Sequence, residues 1–113
     1  MKLITLFCVS LCLFCFSSIK SEYYSKYGVD VQNIRVINED GIRFITGTVL
    51  NKSSKTYAGF EIFFDLLDSD GALVGNSTDS IMNFQSGSKW RFKCLIMDDS
   101  ASSFRFSGLN GFE

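Results

Sequence analysis

One stretch constrains the fold of this chain more than any other: residues 60–71, which read FEIFFDLLDSDG. Large apolar side chains occupy every second position, which is the period of a β-strand with one buried face. These alternating residues are Phe60, Ile62, Phe64 and Leu66. The opposite face mixes Glu61 and Asp65 with Phe63 and Leu67, and such a partly apolar face is typical of a central strand. An Asp-Gly pair then signals a turn.

The chain around this stretch contains further strand patterns, separated by turn signals. Alternation or enrichment in β-branched residues predicts strands at 29–38, 42–51, 72–79, 89–96 and 103–107. Residues 81–84 either continue the strand at 72–79 or form a bridging segment. The register of the first strand is expected to shift near Asn33, and Gly47 predicts a large aromatic side chain packed over the second strand. The cleanest alternation points four side chains inward: Trp90, Phe92, Cys94 and Ile96.

This spacing of about six or seven short strands is typical of an all-β fold, an Ig-like antiparallel β-sandwich. A small closed barrel is the alternative. The sandwich domain is predicted to occupy residues 29–113, with residues 22–28 as a leader. No helical pattern follows the N-terminal segment, which is predicted to be a signal-peptide helix.

The N-terminal segment, residues 1–21, has the layout of a secretory signal peptide. A positive start at Lys2 precedes an apolar run at 3–16, and small residues follow. Cleavage is expected after Ser21, with Ser17 or Ser18 as alternatives. The apolar run is shorter than the ~20 residues that cross a bilayer, so a cleaved signal is favoured over a retained membrane anchor. The protein is therefore expected to be secreted or extracytoplasmic, in the cell envelope or periplasm.

The cysteines bear on both lipidation and disulfide formation. A lipidated bacterial cysteine follows a small residue, whereas Cys8, Cys12 and Cys15 follow Phe or Leu. Lipidation is therefore the minority interpretation. Cleavage of the signal leaves Cys94 as the single cysteine, and a single cysteine cannot form an internal disulfide. Its alternating position predicts that it is buried as a small apolar side chain.

Composition excludes several classes of protein. The sequence has no histidine, which removes Ser-His and Cys-His nucleophile pairs and histidine zinc sites. Loss of Lys2 and Lys20 with the signal leaves nine basic and 12 acidic residues, a net charge of −3. Nucleic-acid binding is not expected without a clustered basic excess. No catalytic, metal-binding or cofactor-binding residue is assigned, and no cofactor is expected.

The acidic turn after the central strand is one candidate for a metal site. Asp65, Asp68 and Asp70 precede Gly71, and carboxylates are calcium ligands. The spacing does not match a calcium-binding EF-hand loop, because ligands are missing at alternate positions and no glutamate follows at the required distance. A solvated hairpin turn is the favoured interpretation.

Each of the other candidate surfaces has both a functional and an ordinary structural interpretation. A basic stripe on one sheet face is predicted to be a solvated face, or else a contact for an anionic polymer or lipid; its residues are Lys89, Arg91, Lys93 and Arg105. Three tyrosines either stack on sugars or, as favoured, cover an edge of the core: Tyr23, Tyr24 and Tyr27. Two glycosylation acceptor patterns start at Asn51 and Asn76.

The sequence resembles the FxLYD domain family, small exported modules of bacteria and archaea. Four motifs carry the resemblance: FDLLD at 64–68, Gly47-x-Val49-x-Asn51 before it, Asp70-Gly71 after it, and Gly87-x-x-Trp90-x-Phe92. The resemblance covers roughly residues 29–112, and Leu67 stands where the family has tyrosine. The resemblance implies an Ig-like sandwich on envelope proteins. It implies no established activity and no catalytic residues.

The predicted function is a non-enzymatic, secreted or cell-envelope interaction module that binds a protein or surface polymer through a sheet edge or end loops. Contact with a membrane is expected only through an uncleaved signal segment. Two alternatives are a membrane-anchored envelope protein and a small carboxylate-dependent hydrolase. The hydrolase would need paired carboxylates facing a cleft. Its candidate residues are Glu61, Asp65, Asp98 and Asp99.

Overall fold

The computed structural model describes residues 26–113 and contains six strands in this range. They are β1 (Val29–Glu39), β2 (Ile42–Asn51), β3 (Tyr57–Leu67), β4 (Leu73–Phe84), β5 (Lys89–Ile96) and β6 (Ser103–Phe112). They form two antiparallel three-stranded sheets: sheet 1 in the order β1-β2-β5, and sheet 2 in the order β4-β3-β6. This confirms the predicted all-β sandwich. The predicted signal peptide lies outside the described residues, as does most of the predicted leader.

The connections between the strands follow a Greek-key pattern. The chain forms a hairpin within each sheet and crosses to the other sheet after β2, after β4 and after β5, as in sandwiches of immunoglobulin type. The central position predicted for β3 is confirmed, because β3 pairs with β4 on one side and β6 on the other. No helix within the described part of the chain has the length and apolar character needed to span a membrane.

The β1-β2 hairpin shows how local residue choice shapes the strands. Its two loop residues, Asp40 and Gly41, have φ angles of 54° and 82°, as a type I′ turn requires. The side chain of Asn38 accepts a hydrogen bond of 3.0 Å from the Gly41 amide. Within β1, Asn33 has a φ of 58° and lies in a bulge between Gln32 and Arg35. The predicted register shift near Asn33 is therefore confirmed.

The core lies between the two sheets and is dominated by aromatic rings. Phe60 is fully buried and lies 5.1–6.4 Å, ring centroid to centroid, from four other rings. In sheet 1, the Phe92 ring covers Gly47 so closely that an added Cβ would lie 2.6 Å from it. The predicted aromatic cover over Gly47 is therefore confirmed. The four inward positions predicted in β5 are also buried.

Two strands are longer than their sequence patterns indicate. β4 runs unbroken to Phe84 and includes the segment at 81–84. β6 continues to Phe112, well past residue 107, and a bulge beside Phe63 shifts its register. The bulge lets Phe106 and Leu109 both face the core although three positions separate them. An odd spacing of this kind breaks the alternation that marks a strand in sequence.

The free edge of β5 is covered by side chains from β4 in the other sheet. The Ser77 hydroxyl donates a hydrogen bond of 2.5 Å to the Leu95 carbonyl, and the Asp79 carboxylate accepts one of 2.8 Å from the Lys93 amide. An inward-pointing charge of this kind blocks pairing of an edge strand with another chain. The β4-β5 side of the sandwich is thereby closed.

Candidate functional site

One end of the sandwich gathers the turn at 40–41, the turn at 68–72 and the loop at 97–102; we call it the hairpin end. The register places the last residues of β5 beside the first residues of β2, and β6 begins beside Leu67 at the end of β3. The amide of Ser102 donates a hydrogen bond of 2.8 Å to the Leu67 carbonyl. The connecting loop is thus tied across the end of both sheets.

Exposed apolar side chains concentrate at the hairpin end. Seven large hydrophobic residues are exposed within residues 26–113, and five of them lie there: Val36, Ile42, Leu73, Leu95 and Met97. The most exposed is Met97, at 82%. Met82 and Phe112 lie toward the opposite end. The five come from both sheets, with Leu95 on β5 in sheet 1 and Leu73 on β4 in sheet 2. A concentration of exposed apolar side chains at one end of a domain is more typical of an interaction surface than single scattered ones, which are ordinary.

On the outer face of sheet 1, Leu95 belongs to an apolar row that also contains Phe44 and Ile37. These three residues are direct cross-strand partners. The Lys93 ammonium lies 4.4 Å from the centroid of the Phe44 ring and pairs with Glu39. The row is therefore bordered by charges, as apolar interaction patches commonly are.

A cavity of about 350 Å³ opens at the hairpin end between the two sheets; we call it the end cavity. Its lining consists of Val36, Arg43, Ile96, Ala101, Ser102, Ser103 and Phe104. The Arg43 guanidinium donates hydrogen bonds of 2.7 Å to the Ala101 carbonyl and 3.0 Å to the Asp98 carbonyl. Four of the seven lining residues are apolar, and Arg43 contributes a positive charge that these two hydrogen bonds hold in place.

The position of one residue of this site, Arg43, could be predicted from the sequence pattern. Arg43 alternates with the inward-facing Ile45, Gly47 and Val49, so the period of β2 already places a charge on the buried face at the strand end. Met97, the most exposed of the five apolar residues, lies in a loop whose sequence has no strand periodicity. Nothing in the local sequence indicates that it lies at the same end of the sandwich as Ile42.

The prediction of one basic stripe on a single sheet face is wrong. Lys89, Arg91 and Lys93 are exposed on β5 in sheet 1, but Arg105 lies on β6 in sheet 2. Arg105 donates a hydrogen bond of 2.8 Å to the Asp65 carboxylate. β5 and β6 are neighbours in sequence but belong to different sheets, so their outer faces point in opposite directions.

Several of the carboxylates considered for metal binding or catalysis have other partners. Asp65 pairs with Arg105, and Asp68 accepts hydrogen bonds of 2.9 Å from the amides of Asp70 and Ala72 within its turn. Residues 26–113 contain no group of three potential metal-ligating side chains. Glu61, Asp65, Asp98 and Asp99 do not line the end cavity.

Asp98 anchors the loop that borders the end cavity. Its carboxylate accepts hydrogen bonds of 2.6 Å from the Ser100 hydroxyl and 2.8 Å from the Ser100 amide. These bonds, together with the positive charge of Arg43, lower the pKa of Asp98. The carboxylate is thus turned toward its own loop, while its backbone carbonyl holds Arg43.

The two glycosylation acceptor patterns have different environments. Asn51 is buried, and its amide nitrogen donates to the carbonyls of Lys55 at 2.9 Å and Phe84 at 3.2 Å. This nitrogen is the atom that a glycan would require, so Asn51 is not available in the folded protein. Asn76 is exposed on β4.

Tyr27 covers an edge of the core, which is the interpretation that the sequence favoured over sugar stacking. Its ring lies 5.5 Å from that of Phe60, and its backbone carbonyl accepts a hydrogen bond of 2.5 Å from the Tyr57 hydroxyl. Tyr23 and Tyr24 lie outside the described residues.

Cys94 is fully buried, as predicted, and we expect it to be unreactive in the native protein. Burial raises the pKa of its thiol from 9.0 to about 12, and the nearby Asp79 carboxylate adds to the shift. Because the thiolate is the reactive form, native protein at pH 8 is expected to react with a thiol reagent about 100-fold or more slowly than unfolded protein. Stopped-flow labelling with and without denaturant measures this ratio, and equal rates would contradict it.

The same thiol also makes stability depend on alkaline pH. Since its pKa is raised on folding, the Cys94 contribution is fully present below the ordinary value of 9.0 and is lost as the pH rises toward about 12. We expect the free energy of unfolding to fall less steeply above pH 9 in Cys94→Ala than in the wild type. Urea titrations at a series of pH values test this difference.

Comparison with known proteins places the fold among solved structures. No protein-family model matches the sequence, so the FxLYD resemblance is not confirmed, and no curated protein matches either. The crystal structure of a DUF1425 family member from Shewanella sp. pv-4 is similar, with a TM-score of 0.55 and 25% identity over 75% of this chain and 77% of that one. IrmA from Escherichia coli has a TM-score of 0.48 and 9% identity, with the same coverage of both chains.

Proposed function

We propose that this protein is a non-enzymatic, secreted or cell-envelope interaction module that binds a partner through the hairpin end. The observation that carries the proposal is the gathering of five of the seven exposed large hydrophobic side chains of residues 26–113 at this end. Burying them against a partner would be favourable, at roughly 25 cal/mol per Å² of apolar surface removed from water. The partner is a protein or surface polymer with an apolar surface.

Three further features support this role. Loops and turns supported by a rigid sandwich are common binding surfaces, and the loop at 97–102 is held by Arg43 and Ser102. The N-terminal sequence pattern of residues 1–21 supports export. The likeness to a DUF1425 family member points to no enzyme family.

The carboxylate-dependent hydrolase is the weaker alternative. Its candidate carboxylates are separated: Glu61 and Asp65 lie on the outer face of sheet 2, while Asp98 and Asp99 lie in the β5-β6 loop. Hydrolysis of the glycosidase type needs two carboxyl groups flanking one bond. None of the four lines the end cavity.

Site-specific photocrosslinking tests the interaction role with a matched pair of positions. Met97 and Met82 are exposed to 82% and 78%, but only Met97 lies at the hairpin end. A photoreactive amino acid at position 97 is expected to give a discrete crosslinked product in the host cell envelope, and the same residue at position 82 is not. The two readouts are the gel pattern and the mass-spectrometric identity of the product.

Two serine variants provide the control for specificity. Met97→Ser is expected to weaken recovery of the crosslinked partner by affinity capture, while Met82→Ser retains it. Identical products from both positions, or none from position 97, would overturn the proposed binding surface. Thermal unfolding of both variants checks that they remain folded.

A further inference from the structure

The end cavity contains a positive charge, Arg43, that has no ion-pair partner among the described residues, although the Asp98 carboxylate lies near enough to interact with it electrostatically. Arg43 forms no ion pair within residues 26–113; its two hydrogen bonds go to the backbone carbonyls of Asp98 and Ala101. Carbonyl dipoles orient a guanidinium but leave its net charge in place. A partly buried guanidinium of this kind can bind an anionic group of a ligand.

Arg43 also retains hydrogen-bonding capacity. A guanidinium has five N–H donors in a fixed plane, and Arg43 uses one on each of its two terminal nitrogens. The two carbonyls hold the group at the border of the cavity, so a ligand would meet a pre-positioned donor. Carboxylates match the guanidinium geometry and form short, charge-assisted hydrogen bonds with it.

The remaining lining of the cavity is suited to hydrocarbon. Val36, Ile96 and Phe104 present apolar surface, and Val36 is 45% exposed at the opening. The volume of about 350 Å³ is at the small end of the range for ligand pockets, about 300–1,000 Å³. It suits one short alkyl chain or one amino-acid side chain rather than a large cofactor.

We propose that the end cavity binds a carboxylate attached to a short apolar group, with the carboxylate on Arg43 and the apolar group against Val36, Ile96 and Phe104. This rests on the proposed function, since it names the chemistry that the hairpin end recognises in a partner. Two sources share this chemistry: the C-terminal residue of a polypeptide and a short-chain free acid. Ser102 and Ser103 add polar residues to the cavity wall.

Paired probes that differ only in charge test this assignment by NMR titration of the whole mature protein. Hexanoate is compared with 1-hexanol, and N-acetyl-L-leucine with N-acetyl-L-leucinamide. We expect at least one acid to shift the signals of cavity residues in a saturable way, and its neutral counterpart to bind about 10-fold or more weakly. Binding of N-acetyl-L-leucine above hexanoate assigns the site to polypeptide C-termini, and the reverse order assigns it to free acids.

Two variants separate ligand binding from a purely structural role of Arg43 as a loop anchor. Arg43→Gln is expected to reduce acid binding about 10-fold or more. Because this change also loosens the loop at 97–102, Val36→Phe is the second variant: it keeps Arg43 and fills the cavity with a residue that strands favour. Val36→Phe is expected to abolish binding while the melting temperature stays near that of the wild type.

Three results would overturn the assignment: no saturable shift with any acid, equal binding of an acid and its neutral counterpart, or full binding by both variants. These outcomes do not depend on whether the hairpin end binds a macromolecular partner. If no acid binds but the crosslink at position 97 persists, the assignment of the ligand fails and the module proposal stands. If the crosslink is absent but acids bind in an Arg43-dependent way, the cavity assignment stands without the macromolecular partner.

Discussion

Replacing Phe60 with alanine is expected to lower the free energy of unfolding by about 3–5 kcal/mol. The Phe60 ring is fully buried and contacts rings from both sheets, including Phe84 of sheet 2 and Trp90 of sheet 1. It also covers Gly111, where an added Cβ would lie 2.7 Å from it. Truncation therefore removes apolar contacts and leaves a cavity that the rigid sheets around it fill only in part.

Urea unfolding followed by tryptophan fluorescence measures this loss, since Trp90 lies 6.4 Å from the Phe60 ring, centroid to centroid. Phe63→Ala is the matched control, because Phe63 is on the same strand but on its half-exposed outer face. We expect Phe63→Ala to cost about 1–2 kcal/mol, clearly less than Phe60→Ala. Equal losses for the two variants would contradict the assignment of the inner and outer faces of β3.

Replacing Asn51 with alanine is expected to cost about 2–4 kcal/mol, although the side chain is polar. Its amide group donates to the carbonyls of Lys55 and Phe84, and its carbonyl accepts from the amide and hydroxyl of Ser53. It therefore connects the β2-β3 loop to the end of β4. Alanine would leave these groups without their partner, and an unpaired buried polar group is costly.

Asn76→Ala is the control for this prediction, because Asn76 is the other asparagine in a glycosylation pattern and is exposed. It is expected to change stability by no more than about 0.5 kcal/mol. Thermal melts of the two variants provide the comparison. A small effect at Asn51, matching that at Asn76, would show that the hydrogen-bond network around Asn51 contributes little to stability.

The strands and their buried faces were largely predictable. The alternation in 60–66 and 90–96 identified eight core positions, and all eight are buried. The bounds of β2 and β5 match the predicted 42–51 and 89–96. These features follow from local geometry, since successive side chains of any strand point to opposite faces.

The candidate site was much less predictable. Arg105 was grouped with Lys89, Arg91 and Lys93 because all four alternate with inward residues, yet it lies on the other sheet and pairs with Asp65. Alternation tells which side of a strand faces the core. It contains no information on which of the two sheets the strand joins, because that depends on long-range pairing.

By itself, the sequence determined the all-β class, the turn after the central strand, the aromatic cover over Gly47 and the burial of Cys94. Each is set by residues within one strand or turn, or by the volume that a glycine leaves open. Only the tertiary structure decided that Val36, Arg43, Ile96 and Phe104 line one cavity. These residues come from four different strands. They meet because the chain crosses between sheets, and the stacking of two sheets depends on the whole core rather than on any local pattern.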